Sequence, residues 1–418
     1  MKNAILLAVN TGQYIDFDYR IEEMERLIEA NDMTVCAKSI QNLPAPNPAT
    51  YFGVGKLDEV NSLLDMLEID ACIVADTLSP AQLKNMADIL DILIIDRTGL
   101  ILEIFKNRAG TREARLQVET ANLQYLLPRL VGMRKTLGRQ GGTSGSMSNK
   151  GQGEKQIELD RRHIEKRIVE LNKELSDIEN NRNVQRKARS KGNIPLVALV
   201  GYTNAGKSTL MNKLLTMSGA EDDKKVFEKD MLFATLDTTV RRISLGDKKD
   251  FLLSDTVGFV SDLPHALIKA FRTTLAEAAL ADLILIVLDS SDENVNMQKE
   301  ITEKTLSELK CDEVPKLYVY NKIDILNNVY PFSNMNNNSV RISAATGDGL
   351  KELINRIQAI IYKDNIIVDV IIPYMKGYLL DLINNNAEVK SLDYMENGVH
   401  IIADCPAWLA GKVNSEIY

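Results

Sequence analysis

An apolar run at residues 196–200 ends in Gly201 and is followed by Gly206, Lys207 and Ser208 in the order G-x-x-x-x-G-K-S, after which the pattern turns helical. This stretch constrains the chain more than any other, because strand, phosphate-cradling loop and helix must follow one another directly. Glycines let a backbone close around a phosphate chain with its N–H groups turned inward, and the start of the next helix adds positive potential. The spacing assigns Lys207 to the β- and γ-phosphates and the Ser208 hydroxyl to Mg²⁺. Gly201, Tyr202, Thr203, Asn204, Ala205, Gly206, Lys207, Ser208 and Thr209 form the first part of an expected nucleotide site.

Four further elements follow in the order that a guanine-nucleotide switch needs. Asp255-Thr256-Val257-Gly258 closes an apolar strand at 251–253, so that Asp255 can hold Mg²⁺ through water while the Gly258 N–H faces the γ-phosphate. Asn321-Lys322-Ile323-Asp324 closes a strand at 317–320, and the Asp324 carboxylate can accept both N–H donors of the guanine Watson–Crick edge. Adenine offers an acceptor there and lacks the 2-amino group. A carboxylate left unpaired by the wrong base discriminates by about 10⁴ or more, so the expected nucleotides are GTP and GDP, not ATP. Ser343-Ala344, after a short strand at 340–342, is expected to pack beside the base and to offer backbone N–H to its carbonyl oxygen. Phe233-Ala234-Thr235-Leu236-Asp237, behind the charged stretch 221–230, suits a mobile first switch with Thr235 as the favoured Mg²⁺ ligand. Thr238 and Thr239 are its rivals, better read as β-branched residues opening a strand through Val240. Lys207, Thr235 and Gly258 are the expected catalytic contributors.

Directly after Gly258, where many GTPases carry a glutamine that orients the attacking water, stands Phe259, which neither donates nor accepts a hydrogen bond. Slow intrinsic hydrolysis is expected, with backbone, another side chain or a bound partner completing the site. The plainer reading makes Phe259 a core residue continued by Val260.

At 418 residues the chain has room for about three domains. Cys36, Cys72, Cys311 and Cys405 are scattered without paired metal spacing, which points to a reducing compartment and no disulfide framework. Residues 1–10 read as an opening strand rather than a signal peptide, no run reaches a membrane span, and the last residues carry no prenylation cysteine. His163, His265 and His400 form no cluster.

The net charge of −8 argues against a surface that coats nucleic acid generally. Yet residues 120–153 hold no acidic residue, and Arg129, Arg134, Lys135, Arg139 and Lys150 are interspersed there with glycine and serine. Such a loop can lie along a phosphate backbone, or be a solvated linker. Leu116, Thr120, Leu123, Leu127 and Leu130 recur before it at coiled-coil spacing, as do Ile157, Ile164, Ile168, Leu171, Leu175 and Ile178 after it. Two striped helices joined by a polar turn read as an antiparallel hairpin with a basic tip, whose second arm, from 154 to about 191, would extend roughly 55 Å. A dimerising coiled coil is the alternative.

Before the arm, strands at 5–9, 35–39, 71–74 and 93–95 alternate with helices at 21–30, 57–67 and 80–89, giving a small α/β domain. Its Gly53-Val54-Gly55-Lys56 is read as a tight turn into a helix, because the four-residue gap and a following Ser or Thr are both absent. After about 363, strands at 366–372 and 398–403 flank a helix at 376–385. The expected architecture is α/β: an N-terminal α/β domain at 1–111, a long antiparallel helical hairpin at 112–191, a P-loop GTPase domain with a mostly parallel sheet flanked by helices at 192–363, and a small C-terminal α+β module at 364–418.

This layout resembles the HflX family of translational GTPases. The resemblance is carried by Gly53-Val54-Gly55-Lys56, Asp96-Arg97-Thr98-Gly99-Leu100-Ile101-Leu102, Gln117-Val118-Glu119, Leu126-Leu127-Pro128-Arg129-Leu130, Gly141-Gly142, the T-N-A-G-K-S form of the phosphate loop, residues 233–237 and Asp255-Thr256-Val257-Gly258-Phe259. It implies a cytoplasmic, Mg²⁺-dependent GTPase, a monomer away from membranes, that contacts the large ribosomal subunit and its 23S rRNA near the peptidyl-transferase centre through the arm tip and dissociates 70S ribosomes into subunits. It also implies Thr235 as the magnesium threonine, and membership of the group in which a hydrophobic residue replaces the catalytic glutamine. At the tip the chain departs from the family's G-x-R-G-P-G-E continuation: residues 143–154 are several residues longer, with Lys150 near the arginine position and Gln152 in place of proline. Housekeeping recycling and relief of drug- or stress-stalled ribosomes both remain open, as do a factor that protects the ribosomal catalytic centre in antibiotic resistance without splitting and a regulatory GTPase with a non-ribosomal partner.

Overall fold

The computed structural model describes residues 2–13, 16–130, 150–190, 194–219, 233, 239–245, 248–256, 258–261, 278–326 and 338–417, with backbone alone for 150–157 and 181–190. The chain falls into two compact units. The first takes residues 1–185 together with 229–237 and 260–273, and the second takes the remainder.

The first unit is built on four parallel strands in the order β2-β1-β3-β4: β1 (Lys2–Asn10), β2 (Met33–Asn42), β3 (Ala71–Val74) and β4 (Leu93–Asp96). Helices α1 (Phe17–Ala30), α2 (Val54–Leu67) and α3 (Pro80–Leu90) make the crossovers, and α4 (Arg97–Arg108) follows β4 without a loop. Strand β1 is buried from Ala4 to Val9, the continuous apolar run that a central parallel strand covered on both faces requires. On one face Ile5, Leu7, Val9, Cys72 and Val74 pack with Leu57, Val60, Met86 and Leu90 of the helices. Helix α3 is started by a reciprocal cap in which Ser79 accepts from the Gln82 N–H and the Gln82 side chain accepts from the Ser79 N–H, with Pro80 in the first turn.

Helices α5 (Arg112–Leu126) and α6 (Lys150–Ser190) complete this unit. Arg112 pairs with Glu174 at 2.9 Å, and Glu119 pairs with Arg167 at 2.9 Å. A step of one heptad forward on α5 thus matches a step of one heptad back on α6, which is antiparallel register. Thr120 and Leu116 on α5 and Leu171 on α6 are buried. These exposed ion pairs set register more than stability. At 41 residues α6 extends about 60 Å. Residues 131–149, where the expected tip loop falls, lie outside the described residues.

The second unit holds a six-stranded sheet of order β10-β9-β8-β5-β7-β6, from β5 (Leu196–Gly201), β6 (Thr239–Ile243), β7 (Phe251–Asp255), β8 (Leu283–Asp289), β9 (Lys316–Asn321) and β10 (Ser339–Arg341). All neighbours are parallel except β6 against β7. Helices α7 (Lys207–Met217), α8 (Val295–Glu308) and α9 (Leu350–Ile361) flank it, and Leu210, Leu214, Leu353 and Ile357 join the strand residues Val197, Leu199, Leu253, Leu285 and Val319 in one core. This is the P-loop GTPase fold. A separate antiparallel sheet, β11-β13-β12, follows: β11 (Ile366–Ile372), α10 (Gly377–Asn386), β12 (Glu388–Met395), β13 (Gly398–Cys405) and α11 (Ala407–Ile417). Lys249 ties it to the larger sheet by pairing with Glu388 at 3.0 Å and Asp404 at 2.8 Å.

Several elements go beyond those that the sequence reading named, β8, α8, α9, α4, β12 and α11 among them. Helix α4 escaped it because Leu100, Ile101, Leu102, Ile104 and Phe105 are all buried, leaving no amphipathic stripe to detect. Strand β12 is an edge strand whose Glu388, Lys390 and Asp393 break the apolar alternation, and α11 starts only after Pro406. Among the described residues no helix is long and apolar enough to cross a membrane, and no cluster of His, Cys, Asp and Glu could hold a metal ion. All four cysteines are free thiols; burial pushes Cys72 up to about 12, and burial followed by the charge of Asp404 pushes Cys405 up to about 11.

Candidate functional site

The C-terminal ends of β5, β7 and β9 bring the motifs together. Gly201 ends β5 at φ 152°, where an added Cβ would stand 2.2 Å from the Val287 carbonyl oxygen. Gly206 starts α7 at φ 88°, where a Cβ would stand 2.2 Å from Asn321 Nδ2. Both glycines are sterically obligatory. The Asn321 amide donates to the Ala205 carbonyl at 2.9 Å and accepts the Ala344 N–H at 2.9 Å, so one side chain laces the phosphate loop to the loop after β10.

Lys207 is buried, and its Nζ donates to the carbonyls of Gly201 at 3.1 Å and Tyr202 at 2.7 Å. Burial lowers its pKa to about 8, partly offset by the charge of Asp255. Asp255, wholly buried at the end of β7, accepts the Ser208 hydroxyl at 2.8 Å. A hydroxyl and a carboxylate set side by side are the all-oxygen donors that a hard divalent cation takes. The Thr256 hydroxyl donates to the Leu199 carbonyl at 2.6 Å, tying β7 to β5. Thr203 and Ala205 are buried within the loop, and Asn204 is exposed at φ 61°.

At the base-recognition end, Asp324 is exposed on a short 3₁₀ turn, free of the protein interior. Lys322 adopts φ 65° and pairs with Asp289 at 2.7 Å. Asp289 was absent from the sequence reading, although it ends β8 as the aspartate of an apolar strand. The Ala344 N–H is held by Asn321, and the Ser343 N–H by the Asp348 carbonyl at 3.0 Å, so neither is an unengaged donor for a base carbonyl. Phe233, the first residue of the expected first switch, is buried edge-on against Phe105 of α4, ring centroids 4.6 Å apart. Ala234, Thr235, Leu236, Asp237 and Val257 lie outside the described residues.

Phe259 is buried, and its backbone pairs with the phosphate loop: its N–H donates to the Gly201 carbonyl at 3.1 Å and its carbonyl accepts the Thr203 N–H at 2.7 Å. The aromatic ring is core, as the plainer reading had it, and the residue still sits where the missing glutamine would.

Of the basic residues expected to meet RNA, Arg129 is withdrawn. It is buried, its guanidinium donates to the carbonyls of Tyr125 and Leu78 and pairs with Asp96 at 3.3 Å, and it stacks on the Tyr125 ring at 3.8 Å. A charge satisfied this way is unavailable to a phosphate backbone. Arg134, Lys135 and Arg139 lie outside the described residues, and Lys150 is described only as the first backbone position of α6.

Residues 18–106, 108–189 and 196–322 match, in turn, the families described as "GTP-binding GTPase N-terminal", "GTP-binding GTPase Middle Region" and "50S ribosome-binding GTPase". The curated "GTPase HflX" of Lacrimispora saccharolytica is 41% identical over 415 residues, covering 98% of this chain and 94% of its own length. The chain belongs to the HflX family. The Escherichia coli "GTPase HflX" is 38% identical over 356 residues, covering 84% of this chain and 81% of its own. A solved structure, "crystal structure of SsGBP and GDP complex", is 26% identical and covers 87% of this chain and 99% of its own with a TM-score of 0.47. As an HflX GTPase the chain binds guanine nucleotides and hydrolyses GTP.

Proposed function

We propose that this HflX family member is a ribosome-associated GTPase that engages the large subunit and dissociates 70S ribosomes into subunits. The observation that carries this reading is the match of its G domain to the family described as a 50S ribosome-binding GTPase, on a chain that also carries the 41-residue helix α6. Residues 112–191 are its arm, and the basic residues Arg134, Lys135, Arg139 and Lys150 toward the tip are its contacts to 23S rRNA near the peptidyl-transferase centre. Ser208, Asp255 through water and Thr235 of the first switch would hold Mg²⁺, which would supply charge neutralisation at the phosphates. The protein acts as a cytoplasmic monomer.

GTP orders the segments around Thr235 and Gly258, the ordered form wedges into the ribosome, and hydrolysis releases it. With no glutamine after Gly258, the ribosome completes the hydrolytic site, so turnover rises when ribosomes are added. The test is light scattering of 70S ribosomes with GTP and with a non-hydrolysable analogue. Splitting by both, with turnover only in GTP, is the expected result. Binding without loss of scattering in either would replace splitting by protection of the ribosomal centre, and absence of binding would remove the ribosome as partner.

A further inference from the structure

The aspartate that ends β8 is built into the base-recognition turn. Strand β8 lies between β5 and β9, and in its register on β9 Asp289 stands opposite Asn321, the first residue of Asn321-Lys322-Ile323-Asp324. The Ser290 N–H donates to the Asn321 carbonyl at 2.9 Å, so the backbone after Asp289 is tied to the backbone that enters the turn. The Asp289 carboxylate is divided between two partners. Its Oδ1 accepts the Ser291 N–H at 3.0 Å and the Ser291 hydroxyl at 2.6 Å, and its Oδ2 pairs with the Lys322 ammonium at 2.7 Å. The chain beyond is held as well: Asp292 accepts the Asn294 N–H at 2.8 Å and the Gln298 side-chain amide at 2.7 Å where α8 begins. The carboxylate therefore stands on a fixed support.

What it holds is a strained residue. Lys322 is in the left-handed region at φ 65°, which a residue with a Cβ keeps only where its surroundings impose it. That conformation ends β9 and leads the chain into the short 3₁₀ turn on which Asp324 is exposed. The Arg97 and Glu23 pair of the first unit makes a contrast. Its side chains are 1% and 3% exposed, and it closes on Ser261 inside that unit, where no ligand reaches. The Lys322 and Asp289 side chains are 24% and 15% exposed, at the strand ends where the nucleotide motifs meet. A pair so placed is shielded enough to orient a turn and open enough to border a ligand.

We propose that Asp289 is a positioning residue for guanine recognition: by holding Lys322 it fixes the turn so that Asp324 meets both N–H donors of the base at once. This rests on Asp324 taking the guanine edge, the role its place in the motif gives it. Two donors reach one carboxylate together only when its plane lies in that of the base, and a turn that relaxes away from φ 65° keeps one of these hydrogen bonds more easily than two. The loss therefore falls on discrimination between guanine, which presents N1–H and the 2-amino group, and hypoxanthine, which presents N1–H alone.

The test uses the full-length protein without ribosomes. Affinities for GDP and inosine diphosphate are measured by calorimetry for wild type, Asp289→Asn, Lys322→Met, the double variant and Asp324→Ala, alongside thermal unfolding. Asparagine at 289 keeps the shape and an acceptor for Ser291 but loses the charge. Its ratio of GDP to inosine diphosphate affinity should fall about three- to tenfold, the size of one hydrogen bond. Lys322→Met should lower the ratio as much and the double variant no further, because the two residues act as one pair. An unchanged ratio in Asp289→Asn, while Asp324→Ala abolishes the preference, overturns the proposal and leaves the base reading standing. So do additive losses in the double variant. An unchanged ratio in Asp324→Ala removes the base reading and this proposal with it. If Asp289→Asn fails to fold, an unchanged ratio in Lys322→Met overturns the proposal from the other side of the pair.

Discussion

The chain contains two glycine-and-lysine turns into helices, and they have opposite character. At Gly53-Val54-Gly55-Lys56 neither glycine needs a left-handed backbone: Gly53 is extended at φ −68°, where a Cβ would press only on the Gln41 side-chain amide at 3.2 Å, and a Cβ at Gly55 would meet nothing within 4 Å. Lys56 is half-buried and pairs with the exposed Glu59 at 2.8 Å. At Gly206-Lys207 the glycine is in the left-handed region with no space for a side chain, and the lysine is buried over the loop's own carbonyls. Composition does not separate the two. A phosphate site needs a loop closed tightly enough to turn its amides inward and to draw the lysine out of water, and only the second turn is closed.

The strongest way to break this contrast is to remove each lysine charge. Lys207→Met should weaken GDP and GTP binding by about a hundredfold or more, since a charge-assisted contact to phosphate is lost from a buried position. Lys56→Met should leave both affinities within error. Isothermal titration of the two variants checks this, and equal losses would mean that the N-terminal turn also serves a nucleotide.

A second measurement sharpens it through pH. Burial holds the Lys207 pKa at about 8 in the folded chain, below the ordinary 10.5 that the unfolded chain recovers. Between those values the unfolded state binds the extra proton, so this group makes the nucleotide-free protein more stable as pH rises from about 8 toward 10.5. Below about 8 both states are protonated and its contribution is flat. Subtracting the stability of Lys207→Met, which cannot titrate, should leave a rise of at most about 3 kcal/mol across that window in denaturant melts. A flat difference would mean that Lys207 is not desolvated.

Much of the site was legible because its motifs end apolar strands: β5, β7 and β9 stop at Gly201, Asp255 and Asn321, where the spacing put them. The internal lacing was not. Asn321 reads as a base-recognition residue, and nothing local shows that its amide is shared between Ala205 and Ala344. Arg129 was misjudged because basic residues in an acid-poor stretch look solvent-facing, while its partner Asp96 is 33 residues away. The Glu23, Arg97 and Ser261 cluster is further beyond reach, with separations of 74 and 164 residues for the contacts of Arg97. Ordinary polar residues at such distances carry no period, cap or spacing, and only the folded first unit brings them together.

The smallest expected effect is the one that tests the N-terminal turn directly. Gly55 is the second residue of α2, faces open space, and is not needed for any positive φ. An alanine there fits the helix without strain and restricts the unfolded chain, so Gly55→Ala should stabilise the protein by about 0.4–1 kcal/mol, with nucleotide affinity unchanged. Chemical denaturation has the resolution to see this. Destabilisation would show that something must approach the Gly55 backbone closely, and the N-terminal turn would then have a ligand of its own after all. The expected gain would instead fix the difference between the two turns in the backbone: one tolerates a side chain because it only begins a helix, and the other excludes it because its loop has been closed around the place of a phosphate.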